Sequence, residues 1–139
     1  MRGTNQTLGG GGLHHVAIRA HDFDASVRFY TETLGFVEKI RWGEGPKRAI
    51  MLDTGGGNYL EIFADGAPGP KPEGAILHFA MRTGDCDAAV ARARAAGAEV
   101  TMEPKDLNLQ STPGPTPIRI AFCKGPDGEI VEFFQNELT

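Results

Sequence analysis

The sequence predicts an α+β fold made of two tandem βαβββ modules. Three observations carry that prediction: an internal repeat, a helix-spaced apolar face after each repeat start, and glycine- and proline-rich punctuation between the remaining segments. Residues 15–27, "HVAIRAHDFDASV", align with residues 78–90, "HFAMRTGDCDAAV". His, Ala, Arg, Asp, Asp, Ala and Val coincide, seven of thirteen positions, where ordinary residue usage gives about one by chance. A second pair, "GNYLEIFA" (57–64) and "GEIVEFFQ" (128–135), matches Gly57 with Gly128, Glu61 with Glu132 and Phe63 with Phe134. The offsets are 63 and 71 residues, so the second half carries a longer loop, placed in "NLQSTPGPTP".

The elements follow in order. Residues 1–12, "MRGTNQTLGGGG", read as a flexible tail, and residues 13–139 as one domain. Module one (13–66) opens with the strand "LHHVAIRA". A helix is expected from Asp22 to about Leu34, because Phe23, Val27, Tyr30 and Leu34 share one apolar face. Asp22 suits its N-cap and Gly35 its end. Strands are expected near 36–42, 48–53 and 58–64. A linker (67–73) within "DGAPGPKPEG" leads to module two (74–136) and the strand "AILHFAMRT". Its helix runs from Asp85 to about Ala96, with Cys86, Val90 and Ala93 inward and Gly97 as the stop. Strands near 98–103, 117–123 and 129–135 complete it.

Composition narrows the function classes. The chain has 139 residues, 40% hydrophobic and 23% charged, with a net charge of −4. An acidic balance argues against a nucleic-acid or anionic-membrane partner. No apolar run approaches the roughly 20 residues that span a bilayer, and the polar N-terminus lacks the apolar centre of a signal peptide. The two cysteines, Cys86 and Cys123, form no disulfide framework or CxxC pair, which points to a reducing, cytoplasmic location.

Four residues stand out. Side chains alternate along a strand, so His14, Val16 and Ile18 share one face, expected to pack on the helix, and His15, Ala17 and Arg19 share the other. The repeat pairs His15 with His78 and leaves Leu77 opposite His14; His78, Ala80 and Arg82 repeat the second face. Glu61 and Glu132 each lie mid-strand among apolar neighbours, where an ionised carboxylate needs a compensating cation or donors. Two neutral imidazoles and two carboxylates balance a divalent cation, and mixed nitrogen and oxygen donors suit Zn, Ni, Co, Mn or Fe. His15, Glu61, His78 and Glu132 are therefore the candidate metal ligands. Arg19, on the histidine face, is a candidate anchor for an anionic substrate group. His21 is expected in the exposed turn before the helix, and Cys123 as a small buried packing residue.

From Leu13 to Gln135 the sequence resembles the vicinal oxygen chelate superfamily, whose members include glyoxalase I, methylmalonyl-CoA epimerase, extradiol dioxygenases and fosfomycin- and bleomycin-resistance proteins. "HVAIRAHDFDASVRFYTETLGF" is similar to the family's opening strand and helix, and "GPDGEIVEFFQ" to its closing turn and strand. The resemblance implies a cupped mixed sheet around one divalent metal, held at the positions of His15, Glu61, His78 and Glu132. That full set is similar to the glyoxalase I arrangement and implies a lyase or isomerase working by proton transfer on a small substrate chelated through vicinal oxygens. Glu132 is then the first candidate base, with Glu61 on the opposite face. Arg19 matches a glutathione-binding arginine of glyoxalase I, so a thiol cosubstrate such as glutathione is implied. Asp65 stands where that enzyme has a glutathione-holding asparagine, and an acid does not replace the amide. The resemblance also implies a homodimer. Its alternatives are an epimerase, a dioxygenase, a fosfomycin-type resistance enzyme, or a non-catalytic small-ligand-binding protein.

Overall fold

A computed structural model describes residues 13–69 and 76–138. The expected tail (1–12) and residues 70–73 of the expected linker lie outside them. Module one contains β1 (His15–Arg19), α1 (Phe23–Arg28), β2 (Val37–Trp42), β3 (Ala49–Asp53) and β4 (Tyr59–Phe63). Module two contains β5 (Phe79–Arg82), α2 (Cys86–Ala95), β6 (Val100–Leu109), β7 (Thr116–Lys124) and β8 (Ile130–Gln135). The strands form two four-stranded mixed sheets, β1-β4-β3-β2 and β5-β8-β7-β6. In each, the first strand lies parallel to the last and the other neighbours are antiparallel.

Both helices start as their sequences dictate. Asp22 accepts a hydrogen bond from the backbone N–H of Ala25 at 3.0 Å, and Asp85 one from Ala88 at 2.9 Å, so each cap satisfies a donor that the first helical turn leaves open. α2 ends before Gly97, whose φ of +88° is the left-handed geometry that stops a helix. The first helix departs from expectation. After Arg28 it widens into one π-turn, Phe29–Thr33, closed by Leu34 N–H to Phe29 C=O. Phe29, Tyr30 and Thr33 are all buried there, which a regular helix with one apolar stripe does not achieve so readily.

β6 also departs: it runs through Leu109, well past the expected end near residue 103. Two register shifts against β7, at Val100/Met102 and Met102/Lys105, interrupt the ladder. Those bulges break the alternation by which a strand is read. Pro104, inside it, is tolerated because β6 is an edge strand.

One continuous core joins the modules. Ile50, Leu52, Leu60 and Ile62 from the first sheet cluster with Ala121, Cys123, Val131 and Phe133 from the second, with α1 and α2 packed among them. The Tyr30 ring stacks on Phe36 at 5.4 Å and lies 6.4 Å from Phe79. At the end of β4, Gly66 passes so near β1 that a Cβ would lie 2.6 Å from the Ala20 carbonyl carbon. Only glycine permits that approach, and it lets the Gly66 N–H bond the Ala20 carbonyl at 2.9 Å.

A polar clamp crosses the seam. The carboxylate of Asp127, 6% exposed, accepts from the His21 backbone N–H at 2.8 Å, from His21 Nδ1 at 2.9 Å and from the Ser26 hydroxyl at 3.0 Å. Glu129 accepts from the Asp127 N–H at 2.8 Å. His21 thus occupies the expected exposed turn, with a partner 106 residues away.

Candidate metal centre

Register places each histidine beside its glutamate. Ala17 of β1 is opposite Glu61 of β4, so His15, two residues earlier, lies on the same face and diagonal to it. Ala80 of β5 is opposite Glu132 of β8, which does the same for His78. His15 Nε2 is 3.5 Å from Glu61 Oε2, and His78 Nε2 is 3.0 Å from Glu132 Oε2. The histidine side chains are 40% exposed, but those of Glu61 and Glu132 only 13% and 9%. Burial pushes the Glu132 carboxyl up, against the opposing pull of His78. Two largely buried carboxylates, each aimed at an imidazole nitrogen, are a donor set that fits a divalent cation.

The four candidate ligands form two pairs. Among the described residues, no three His, Cys, Asp or Glu side chains come together closely enough to hold one ion. Each pair lies on the face of its sheet opposite the shared core, and those faces carry exposed apolar side chains. Ile40 and Trp42 of β2 are 52% and 40% exposed; both belong to the Glu61 face by register through Met51 and Ala49. Met102 of β6 is 37% exposed and reaches the Glu132 face through Phe122. A cavity of about 680 Å³ between α1 and the loops at 96–99 and 124–128 includes none of the four ligands.

Arg19 lies opposite Phe63 on the His15 face, its guanidinium carbon 6.0 Å from the ring centroid. Trp42 meets the same ring edge-on at 6.2 Å. Arg82 occupies the equivalent place opposite Phe134. Asp65 follows β4 with a φ of 66°.

His14 corrects an expectation. It does not pack on the helix but is exposed, because it precedes β1 and escapes that strand's alternation. Its Nδ1 lies 2.9 Å from Nδ1 of His15, and its ring rests 5.0 Å from that of Tyr59. Sequence reasoning also passed over Phe122, whose ring meets His78 edge-on at 5.4 Å. Alternation through "IRIAFCK" was the available signal, since it sets Phe122 on the face opposite buried Cys123.

The duplicated βαβββ plan agrees with comparison. The family model described as "Glyoxalase/Bleomycin resistance protein/Dioxygenase superfamily" matches residues 12–133. The chain belongs to this superfamily. Within it, the chain is 32% identical over 127 residues to the uncharacterized protein YwbC of Bacillus subtilis, covering 88% of this chain and 96% of the relative. It is 30% identical over 132 residues to lactoylglutathione lyase of Haemophilus influenzae, covering 90% and 93%. The fold is shared with the fosfomycin resistance protein FosX of Listeria monocytogenes, solved with Mn(II): TM-score 0.69, 15% identity, 92% and 94% coverage.

Proposed function

We propose that this superfamily member is a divalent-metal-dependent lyase or isomerase of the glyoxalase type, cytoplasmic, acting by proton transfer on a small substrate with two adjacent oxygens. The observation that carries the reading is the pair of His–Glu half-centres, each on an open sheet face flanked by exposed apolar side chains. A second copy of the chain covers those faces. It brings His15 and Glu61 of one protomer to the partner's repeat-equivalent pair, so that a homodimer holds two complete His/Glu/His/Glu centres.

The metal (Zn, Ni, Co, Mn or Fe), when bound, supplies a Lewis acid for the two substrate oxygens. The protein's own groups handle the proton. Glu132, whose carboxyl burial pushes up against the pull of His78, is the first candidate to take a proton from carbon and return it. Glu61 serves the opposite side of the substrate. Arg19, held over Phe63, anchors an anionic group such as a carboxylate of a thiol cosubstrate. The relation to lactoylglutathione lyase of H. influenzae supports glutathione; Asp65 in place of an amide favours another thiol.

Elemental analysis of the purified protein beside His15→Ala, then methylglyoxal turnover with glutathione and other thiols after loading each metal, tests the reading. Metal bound by the wild type and lost in the variant is expected. Unchanged metal content in His15→Ala defeats the site, and silence with Ni, Co, Zn and Mn defeats the activity.

A further inference from the structure

Two clefts flank the seam between the modules, and the repeat relates them. The larger, about 680 Å³, has α1 and its π-turn on one side and residues 96–99 and 124–128 on the other. The smaller, about 130 Å³, has α2 facing the end of the first helix and Thr54. Matching positions explain the difference. The Phe36 N–H bonds the Tyr30 carbonyl, and the Ala98 N–H bonds that of Ala93, the repeat partner of Tyr30. Phe36 and Ala98 are therefore equivalent, as are Leu34 and Ala96, the π-turn having added one residue to the first helix. Leu34 and Phe36 line the smaller cleft, Ala96 and Ala98 the larger. Two large side chains fill in one copy what two methyl groups leave open in the other. The open cleft falls within the roughly 300–1,000 Å³ of small-molecule sites.

Charge indicates what would occupy it. Arg28, Glu32, Glu99 and Lys124 line the cleft. Lys124 Nζ lies 3.1 Å from Glu99 Oε2, so that pair is satisfied. Arg28 and Glu32 are four residues apart, the spacing at which opposite charges meet on a regular helix. The π-turn starts between them, at Phe29, and among the described residues neither side chain has an ion pair or hydrogen bond. Single π-turns recur at functional sites; this one separates a cation from a carboxylate at the edge of a cavity.

We propose that the larger cleft is a binding site for a small apolar zwitterion of the α-amino-acid class. Arg28 takes its carboxylate through a charge-assisted fork, Glu32 takes its ammonium, and Ala25, Phe29, Ala98 and Pro126 border its side chain. None of His15, Glu61, His78 and Glu132 lines the cleft, so the site is independent of the metal reading. Both modules wall it, so a bound ligand stabilises the docked, folded chain.

Calorimetric titration of the full chain with L-leucine, beside N-acetyl-leucine and leucine methyl ester, tests the site. Leucine is expected to bind and to raise the thermal midpoint. The acetyl and ester forms, each lacking one charge, should bind about tenfold more weakly. Arg28→Gln should weaken leucine to the level of its methyl ester, and Glu32→Gln to the level of N-acetyl-leucine. Ala98→Phe, which copies Phe36 into the open cleft, should abolish binding, with urea unfolding showing that the variant is folded. No binding of leucine to the wild type at millimolar concentration overturns the proposal. So does a methyl ester that binds as well as leucine, or leucine affinity unchanged in both Arg28→Gln and Glu32→Gln.

Discussion

Tyr30 in the first module donates its phenolic proton to Oε1 of Glu129 in the second, at 2.5 Å. The tyrosine is fully buried, and burial, then the Glu129 charge, holds its phenol well above the ordinary value of 10.0. The folded chain therefore keeps this proton after the unfolded chain has released it. The stability this represents is full below about pH 10 and is lost as pH rises toward the raised value. Tyr30→Phe should destabilise by about 1–3 kcal/mol at neutral pH, since it strips a donor from a half-buried carboxylate. The gap between variant and wild type should narrow above about pH 10, as read from urea unfolding across pH.

Asp127 accepts three bonds from the first module. Asp127→Ala leaves the Ser26 hydroxyl and the His21 donors without their acceptor, and Ser26 is fully buried. A loss of about 3 kcal/mol is expected. Ser26→Ala removes only one of the three bonds, and its loss should be about 1 kcal/mol. Equal losses would show that the contacts to His21 contribute nothing.

A centre shared between protomers predicts complementation. His15→Ala and His78→Ala chains should each lose bound metal alone. Refolded together, they should regain it, because each mixed dimer contains one centre carrying both defects and one carrying neither. If metal content stays at the level of the separate variants, the ligands do not meet across the dimer.

Arg19→Ala should raise KM for an anionic thiol substrate about tenfold while moving kcat little, as loss of one charge-assisted contact made in ground and transition state alike. Arg19→Lys should recover part of it. Steady-state kinetics with a charged thiol and a neutral analogue separate this from a change in folding, since only the charged substrate should respond.

Much of this arrangement was legible in the chain because the chain states it twice. The repeat paired His15 with His78 and Glu61 with Glu132, and strand alternation put each pair on one face. Where periodicity fails, so did the reading. The π-turn at Phe29–Thr33 and the bulges of β6 insert residues that no fixed period anticipates. His14 was expected to pack on the helix, as a core or edge residue, by extending alternation one residue beyond the strand that enforces it. The Asp127 clamp was hidden for another reason. Its partners lie over 100 residues away, and "GPDGE" is indistinguishable from an ordinary turn until the modules dock.

The clamp is one-sided. By the repeat offsets, Tyr30 corresponds to Ala93, Asp127 to Gly56 and Glu129 to Asn58. A protein made of two copies of the first half would set its tyrosine against asparagine, and one made of two second halves would set its carboxylates against alanine. Each half now supplies what the other lacks. The polar contacts of the seam therefore exist only because the halves differ, and neither half repeated twice would rebuild them.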